Sequence, residues 1–294
     1  MSRSTGFRRL GALRLEGPLL GRRSLCRNEQ TTLGQRPRIG VVKNRLIAAL
    51  PPKIQERILE RSETVALEFG VILCEPEQPI EHVFFPTRGF ISLVAVVGKH
   101  PPLEMGLIGS EGMLGVTLAL GVSAAPLRGV VQGPGEALRM STTAFRVELA
   151  RSVPLTRSSH RYLYVLMAQL TQTAACTRFH EVDKRLVRWL LMTHDRAEGD
   201  QFHLTHQFLA DMLGVQRSAV TIAAGLLQKR KLIRYTRGEI HILDRRGLEA
   251  SSCECYTAVR QDYASSMVRA SPPLATTNSR QSADMAGASG TTSP

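Results

Sequence analysis

Long apolar runs are missing from this chain. The longest, FISLVAVV at 90–97, is far shorter than the roughly 18 residues a helix needs to span a bilayer, so no membrane segment is expected. Also missing are the phosphate-cradling G-x-x-x-x-G-K-[ST], the nucleophile elbow G-x-S-x-G, and a G-x-G-x-x-G set between a strand and a helix. Without them no set of residues supports an enzyme. Cysteine is sparse. Cys26, Cys74, Cys176, Cys253 and Cys255 form an odd set with no repeated metal spacing, which suits a reducing cytosol. Acidic residues almost vanish from 1–42, where nine Arg face only Glu16 and Glu29. That segment reads as a disordered basic extension; an organellar transit peptide is the other reading, but no amphipathic period accompanies the arginines. Ser, Thr, Ala, Gly and Pro dominate 271–294, and a mostly disordered tail is expected over 259–294. Neither end carries enough apolar surface to offset its ordering, so residues 43–270 are expected to fold without them.

What is present is charge, unevenly placed. The formal +13 divides into +7 over 1–42, +1 from Lys43, −2 over 44–150, +4 over 151–180, +3 over 181–250 and 0 beyond. Basicity rises toward the second half, as in a chain that meets a polyanion there.

Periodicity divides the middle of the chain. NRLIAALPPKIQERILE at 44–60 spaces Leu46, Leu50, Ile54 and Ile58 four apart, an amphipathic helix broken at Pro51-Pro52. The period then falls to two. TVALEF, EHVFF, GFISLVAVV, LEMGLI, RGVVQ and EALRM read as short strands bounded by Gly or Pro, a small antiparallel sandwich or barrel rather than a parallel sheet. From Ser158 the period is helical again, with Leu163, Met167, Leu170, Ala174 and Thr177 in a 4-3-4-3 spacing and no Pro or Gly over 155–198. Such a helix either packs on its own β-domain or forms a coiled-coil seam with a second copy through Leu163, Leu166, Met167, Leu170, Ala174 and Thr177. Small Ala174 and Thr177 would permit close approach, which favours the dimer.

HLTHQFLADMLGVQRSAVTIAAGLLQKRKLIR at 203–234 carries the most specific signal. Thr205 caps HQFLADML, Phe208, Leu209 and Leu213 give it an apolar face, and Gly214 sits where a tight turn needs positive φ. The next helix buries Val220, Ala223 and Leu227 and leaves Gln216, Arg217, Ser218 and Thr221 at its exposed start, the positions that enter the major groove in a helix-turn-helix. LIRYTRGEIHIL adds a hairpin around Arg237-Gly238, a wing. An ordinary helical hairpin shows the same two helices, but not the wing or the cluster Lys229, Arg230, Lys231 and Arg234. Arg217 suits a bidentate contact to guanine, Thr221 and Ile222 suit thymine methyls, and Lys229 and Arg237 suit phosphate, with Thr205 and His206 beside them.

The order of a helix, small β-barrel, long helix and LTHQFLADMLGVQRSAVTIAAGLLQKRKLIRYTRGEIHILD resembles the Crp/Fnr superfamily of bacterial transcription regulators over 44–258. The resemblance implies an α+β chain: a basic extension (1–42), a jelly-roll-like antiparallel β-barrel as sensor (43–150), a dimerisation helix (151–180), a winged helix-turn-helix (181–258) and a tail (259–294). It implies a cytoplasmic homodimer on palindromic double-stranded DNA, with RNA polymerase as a partner. A scaffold whose winged helix contacts protein is the alternative. Arg217 matches the family's first recognition arginine, whereas Ser218 and Ile222 depart from its Glu and second Arg, so the operator is not given.

In the barrel, Gly109, Glu111 and Gly112 of LIGSEGMLG stand where the resemblance places ligand contacts. Ala124, Ala125 and Pro126 occupy the phosphate-arginine position, and Arg128 falls about three residues late, on the opposite face of a strand. Cyclic nucleotide is not expected. Nor is haem on His82 or an iron–sulfur cluster, for which Cys26 and Cys74 are too few. His203 and His206 with Cys253 and Cys255 make a poor tetrahedron, so neither metal nor cofactor is expected.

Overall fold

The structure, a computed structural model, describes residues 42–268; expectations for 1–41 and for the tail beyond 268 lie outside it. Two short helices open the described residues, α1 (Arg45–Ala48) and α2 (Pro52–Glu60), divided at the prolines. Leu46, Leu50, Ile54 and Ile58 are all buried, as the four-residue spacing requires. Asn44 fixes this entry. Its side chain accepts from the Ile47 amide and donates to the carbonyls of Pro86 and Gly112, both at 2.9 Å.

Five strands follow: β1 (Glu63–Leu67), β2 (Ile72–Cys74), β3 (His82–Ala95), β4 (Leu103–Ile108) and β5 (Arg128–Ser141). They form one antiparallel sheet in the order β1-β5-β3-β4, with β2 also on β5. Its hydrogen-bonded ladder does not close among the described residues, so the expected barrel is an open, curled sheet. EHVFF and GFISLVAVV prove to be one strand, and so do RGVVQ and EALRM. The glycines and prolines between them mark bends rather than ends. Register shifts cluster between Pro86 and Ile91, and a Cβ on Gly89 would lie 2.3 Å from the Gly133 carbonyl oxygen, so only glycine lets these strands approach while turning.

Helix α3 (Thr142–Arg151) stops at buried Ser152, which caps α4 (Val153–Phe179) by accepting from the Leu155 amide at 3.2 Å. At 27 residues, α4 is about 40 Å long. One core lies between the sheet and α1–α4, around Phe85, Ile91, Met113, Phe145, Leu155 and Tyr162. Fully buried Glu148 of α3 is held by Arg57 of α2 at 2.9 Å and by Arg61, just past the end of α2, at 3.2 Å.

The second core gathers α5 (Val182–His194), α6 (His206–Leu213), α7 (Arg217–Lys229) and a small sheet of β6 (Gln201–His203), β7 (Ile233–Thr236) and β8 (Glu239–Ile242). Phe90 and Leu107 of the large sheet belong to it, so the two halves share packing. Helices α8 (Arg245–Ser251) and α9 (Glu254–Tyr263) follow, and a π turn over Ala264–Val268 closes the described residues. Residues 259–268, expected within the disordered tail, are thus helical; buried Val259 and the contact of Arg45 with Tyr263 anchor them.

Candidate nucleic-acid interface

Local chemistry sets the helix-turn-helix. Thr205 caps α6 through its hydroxyl, which accepts from the Phe208 amide at 3.1 Å. Gly214 ends α6 at φ 61°, the left-handed conformation that turns the chain toward α7. Val220, Ala223 and Leu227 of α7 face the core, which leaves Gln216, Arg217, Ser218, Thr221 and Ile222 exposed together. The wing is equally local. Arg237 (φ 51°) and Gly238 (φ 87°) make the two-residue turn of β7 and β8, and β8 sits between β6 and β7. Exposed Lys229, Arg230, Lys231, Arg234 and Arg237 surround the face.

His206 and Thr221 also serve the domain. The Thr221 hydroxyl donates to the Arg217 carbonyl at 3.0 Å, and His206 Nδ1 stands 2.9 Å from the Thr221 hydroxyl oxygen, so Nδ1 carries the hydrogen. The imidazole stacks on Tyr235 with centroids 4.1 Å apart. Burial, then the charge of Arg217, lowers its pKa and keeps it neutral. These contacts lock α6, α7 and the wing strand in register. Sequence reading missed Tyr235 in this role, and missed Leu226, which extends the exposed apolar edge of Ile222 one turn on.

Residues 184–251 match the model of the Crp-like helix-turn-helix domain. The C-terminal unit is a Crp-like helix-turn-helix domain. No curated protein matches the chain. Among solved structures, FixK2 from Bradyrhizobium japonicum is 12% identical, with a TM-score of 0.56 over 65% of this chain and 98% of that one. CLP from Xanthomonas campestris, described as a c-di-GMP responsive global regulator, is 19% identical (TM-score 0.53; 66% of this chain, 100% of that one). A CRP/FNR-family transcriptional regulator from Thermus thermophilus is also 19% identical (TM-score 0.53; 64% and 97%). At these identities the likeness is one of fold, and the fold is that of Crp/Fnr regulators.

Within that fold, α4 divides its apolar residues between two faces. Leu166, expected in the intersubunit seam, is 9% exposed in the first core, and Leu163 packs against the same core. Leu170 lines a cavity beneath the sheet. Of the expected seam, Met167, Ala174 and Thr177 are exposed. The exposed stripe runs instead through Val153, Arg157, His160, Tyr164, Met167, Thr171, Ala174 and Arg178, a 4-3 spacing throughout. Leu163, Leu166 and Leu170 turn to the sheet because α4 covers it.

Of the expected ligand residues, Gly109, Glu111 and Gly112 share one turn, and Arg128 stands apart from them. Glu111 is buried, accepts from the Gly109 amide at 3.1 Å and pairs with Arg196 at 2.7 Å. Gly112 lies against Tyr162, whose ring fills the space a Cβ would need. Arg128 pairs instead with Glu75 at 2.9 Å, outside the surroundings of Glu111. The cavity beneath the sheet is about 60 Å³ and bears no charged residue among Ile80, Leu93, Met113, Leu114, Leu166 and Leu170. His82 of β3 is half-buried; burial and then Arg139 lower its pKa. His203 lies 2.6 Å from Glu239 at the wing, and His206 is engaged as above, so neither joins Cys253 and Cys255.

Proposed function

We propose that the chain is a sequence-specific, DNA-binding transcription regulator that works as a homodimer joined along the exposed stripe of α4. The observation that carries this reading is the cluster of Gln216, Arg217, Ser218, Thr221 and Ile222 at the free N-terminal end of α7, flanked by the Arg237 wing turn. Arg217 offers a planar fork to a guanine edge, Ile222 and Thr221 offer methyl groups to thymine, and Lys229 and Arg237 meet phosphate. Two copies would present two α7 helices to half-sites about 34 Å apart. The bacterial cytoplasm is the compartment and RNA polymerase the partner that go with this role. No enzymatic step belongs to it.

Arg217→Ala should cost about 1–3 kcal/mol on the specific site and relax preference at one position per half-site. Lys229→Ala should weaken specific and random DNA alike and lower the salt slope by about one. Fluorescence anisotropy across a salt series reads both. Equal loss on both DNAs for Arg217→Ala would remove its base-reading role. A winged helix docking on protein would lack the steep salt dependence altogether.

The sensor sheet, in this reading, does not take a cyclic nucleotide. A ligand of that size needs roughly 300 Å³ or more and a charge-assisted partner for its phosphate. The apolar cavity beneath the sheet is about 60 Å³; the cavity beside Glu111 is about 360 Å³, but there Arg196 is paired with Glu111 at 2.7 Å, and Arg45 and Arg260 lie against the rings of Tyr263 and Tyr256. Calorimetry with cyclic AMP and cyclic GMP should show no heat of binding up to millimolar concentration; micromolar binding abolished by Arg128→Ala would overturn this.

A further inference from the structure

Four donor side chains that take no part in the DNA-facing surface meet where α4 ends and α9 begins. Cys176 and His180 lie one turn apart at the C-terminal end of α4, while Cys253 caps α9 and Cys255 stands in its first turn. Their ligand atoms all lie within 4.8 Å of one another. Cys176 Sγ is 3.8 Å from Cys253 Sγ, and Cys255 Sγ is 3.5 Å from His180 Nδ1.

These separations suit one ion. Tetrahedral zinc, with Zn–S near 2.3 Å and Zn–N near 2.0–2.1 Å, places two sulfurs about 3.8 Å apart and a sulfur about 3.5 Å from a nitrogen. A disulfide would require about 2.05 Å between sulfurs, so the 176–253 pair is a dithiol. The four-thiolate cage of an iron–sulfur cluster needs another cysteine and more room.

Ordinary packing explains the cluster less well. The three sulfurs are buried, yet Cys176, Cys253 and Cys255 group with one another and with neither hydrophobic core. The other nitrogen of His180, Nε2, lies 3.3 Å from a Glu254 carboxylate oxygen. A carboxylate so close favours the tautomer with its hydrogen on Nε2, which leaves the Nδ1 lone pair for a metal, as the outer-shell partner of a zinc histidine does. Three thiolates on a divalent ion leave one net negative charge, and Arg188 of α5, itself buried, holds its guanidinium 3.4 Å from the Thr173 hydroxyl, on α4 less than one turn before Cys176. A buried anion of that kind needs such a cation.

We propose that Cys176, His180, Cys253 and Cys255 form a tetrahedral zinc(II) site that fastens α9 to the end of α4. The ion joins the helix that carries the exposed stripe to the last helix of the DNA-binding half. Its loss frees α9, so metal supply or thiol oxidation would alter how the two halves are held.

The test uses the full chain, purified under reductant, stripped of metal and titrated with zinc(II) alone against a chromophoric chelator. One equivalent per chain should bind and raise the melting temperature, and cobalt(II) in its place should give the intense visible bands of a tetrahedral thiolate site with sulfur-to-metal charge transfer. Cys255→Ser and Cys253→Ser should each weaken zinc by at least about 100-fold, and Glu254→Gln by about 10-fold. Cys74→Ser, away from the cluster, should change nothing. Because buried cysteine variants are vulnerable to misfolding, His180→Asn, at a half-buried position, gives an independent reading: it should keep the fold by circular dichroism while weakening zinc and altering the cobalt spectrum. Failure of the wild type to hold one equivalent, or wild-type affinity in Cys255→Ser or His180→Asn, would overturn the proposal.

Discussion

Replacing Tyr164 and Met167 together by Glu should leave a folded, monomeric chain whose affinity for a two-fold operator falls by at least about 100-fold. Both side chains stand out from α4, 57% and 59% exposed, three residues apart on its free stripe. Facing copies would bring four carboxylates into the middle of that stripe, in place of its largest apolar contacts, where repulsion and desolvation oppose pairing. A dimer gains its operator affinity by making the second half-site contact intramolecular, a gain of about 10²–10⁴ that a monomer forgoes. The same change at Leu166 should act differently. That residue lies in the sheet's core, so a charge there should unfold the first half rather than separate subunits. Sedimentation equilibrium with anisotropy on specific DNA separates these outcomes. A double variant that stays dimeric would place the seam elsewhere.

Stability should fall as pH rises from about 4.5 to about 7, and Glu104→Gln should remove that fall. Glu104 of β4 is buried where the large sheet meets α5, and its carboxylate accepts from the Ser92 hydroxyl at 2.8 Å. Burial pushes its pKa up to about 7, against the opposing pull of Ser92 and of the Arg188 and Arg196 charges. In the unfolded chain the carboxyl ionises near its ordinary 4.5. Between those values the native protein holds a proton that the unfolded chain has released, so stability declines with pH across the window and is level above it. About 2.5 units correspond to about 3 kcal/mol at most. Glutamine keeps an acceptor for Ser92 and carries no charge to bury, so the variant should outlast the wild type at pH 8 and match it more closely at pH 5. Denaturant melts at several pH values decide this, and parallel pH profiles for the two proteins would acquit Glu104.

The DNA-facing half was legible because its signals are local. Thr205, Gly214 and Arg237-Gly238 each act within a few residues of themselves, and the structure places a cap, a turn and a hairpin there. Other features depend on what a segment packs against. On α4, alternate spacings give one apolar face through Leu166 and another through Tyr164, and periodicity cannot say which meets the sheet. Pro86 and Gly133 look like strand ends because a bend and a stop use the same residues. The sulfur cluster was hidden more deeply. Cys176 and Cys253 are 77 positions apart, and only the return of α9 along α4 brings them together, so short spacings pair Cys253 with Cys255 and give no sign of Cys176 or His180.

The Arg45 guanidinium lies 5.5 Å from the centre of the Tyr263 ring, so the first and last helices of the described chain touch. During synthesis these partners are far apart in time. At about 5–20 residues per second, a ribosome releases Tyr263 roughly 10–40 s after Arg45. Through that interval the newborn first half lacks the helix that lies over buried Tyr162 of α4. A chain cut short before α9 would leave that side of the first half open to solvent and to neighbouring chains.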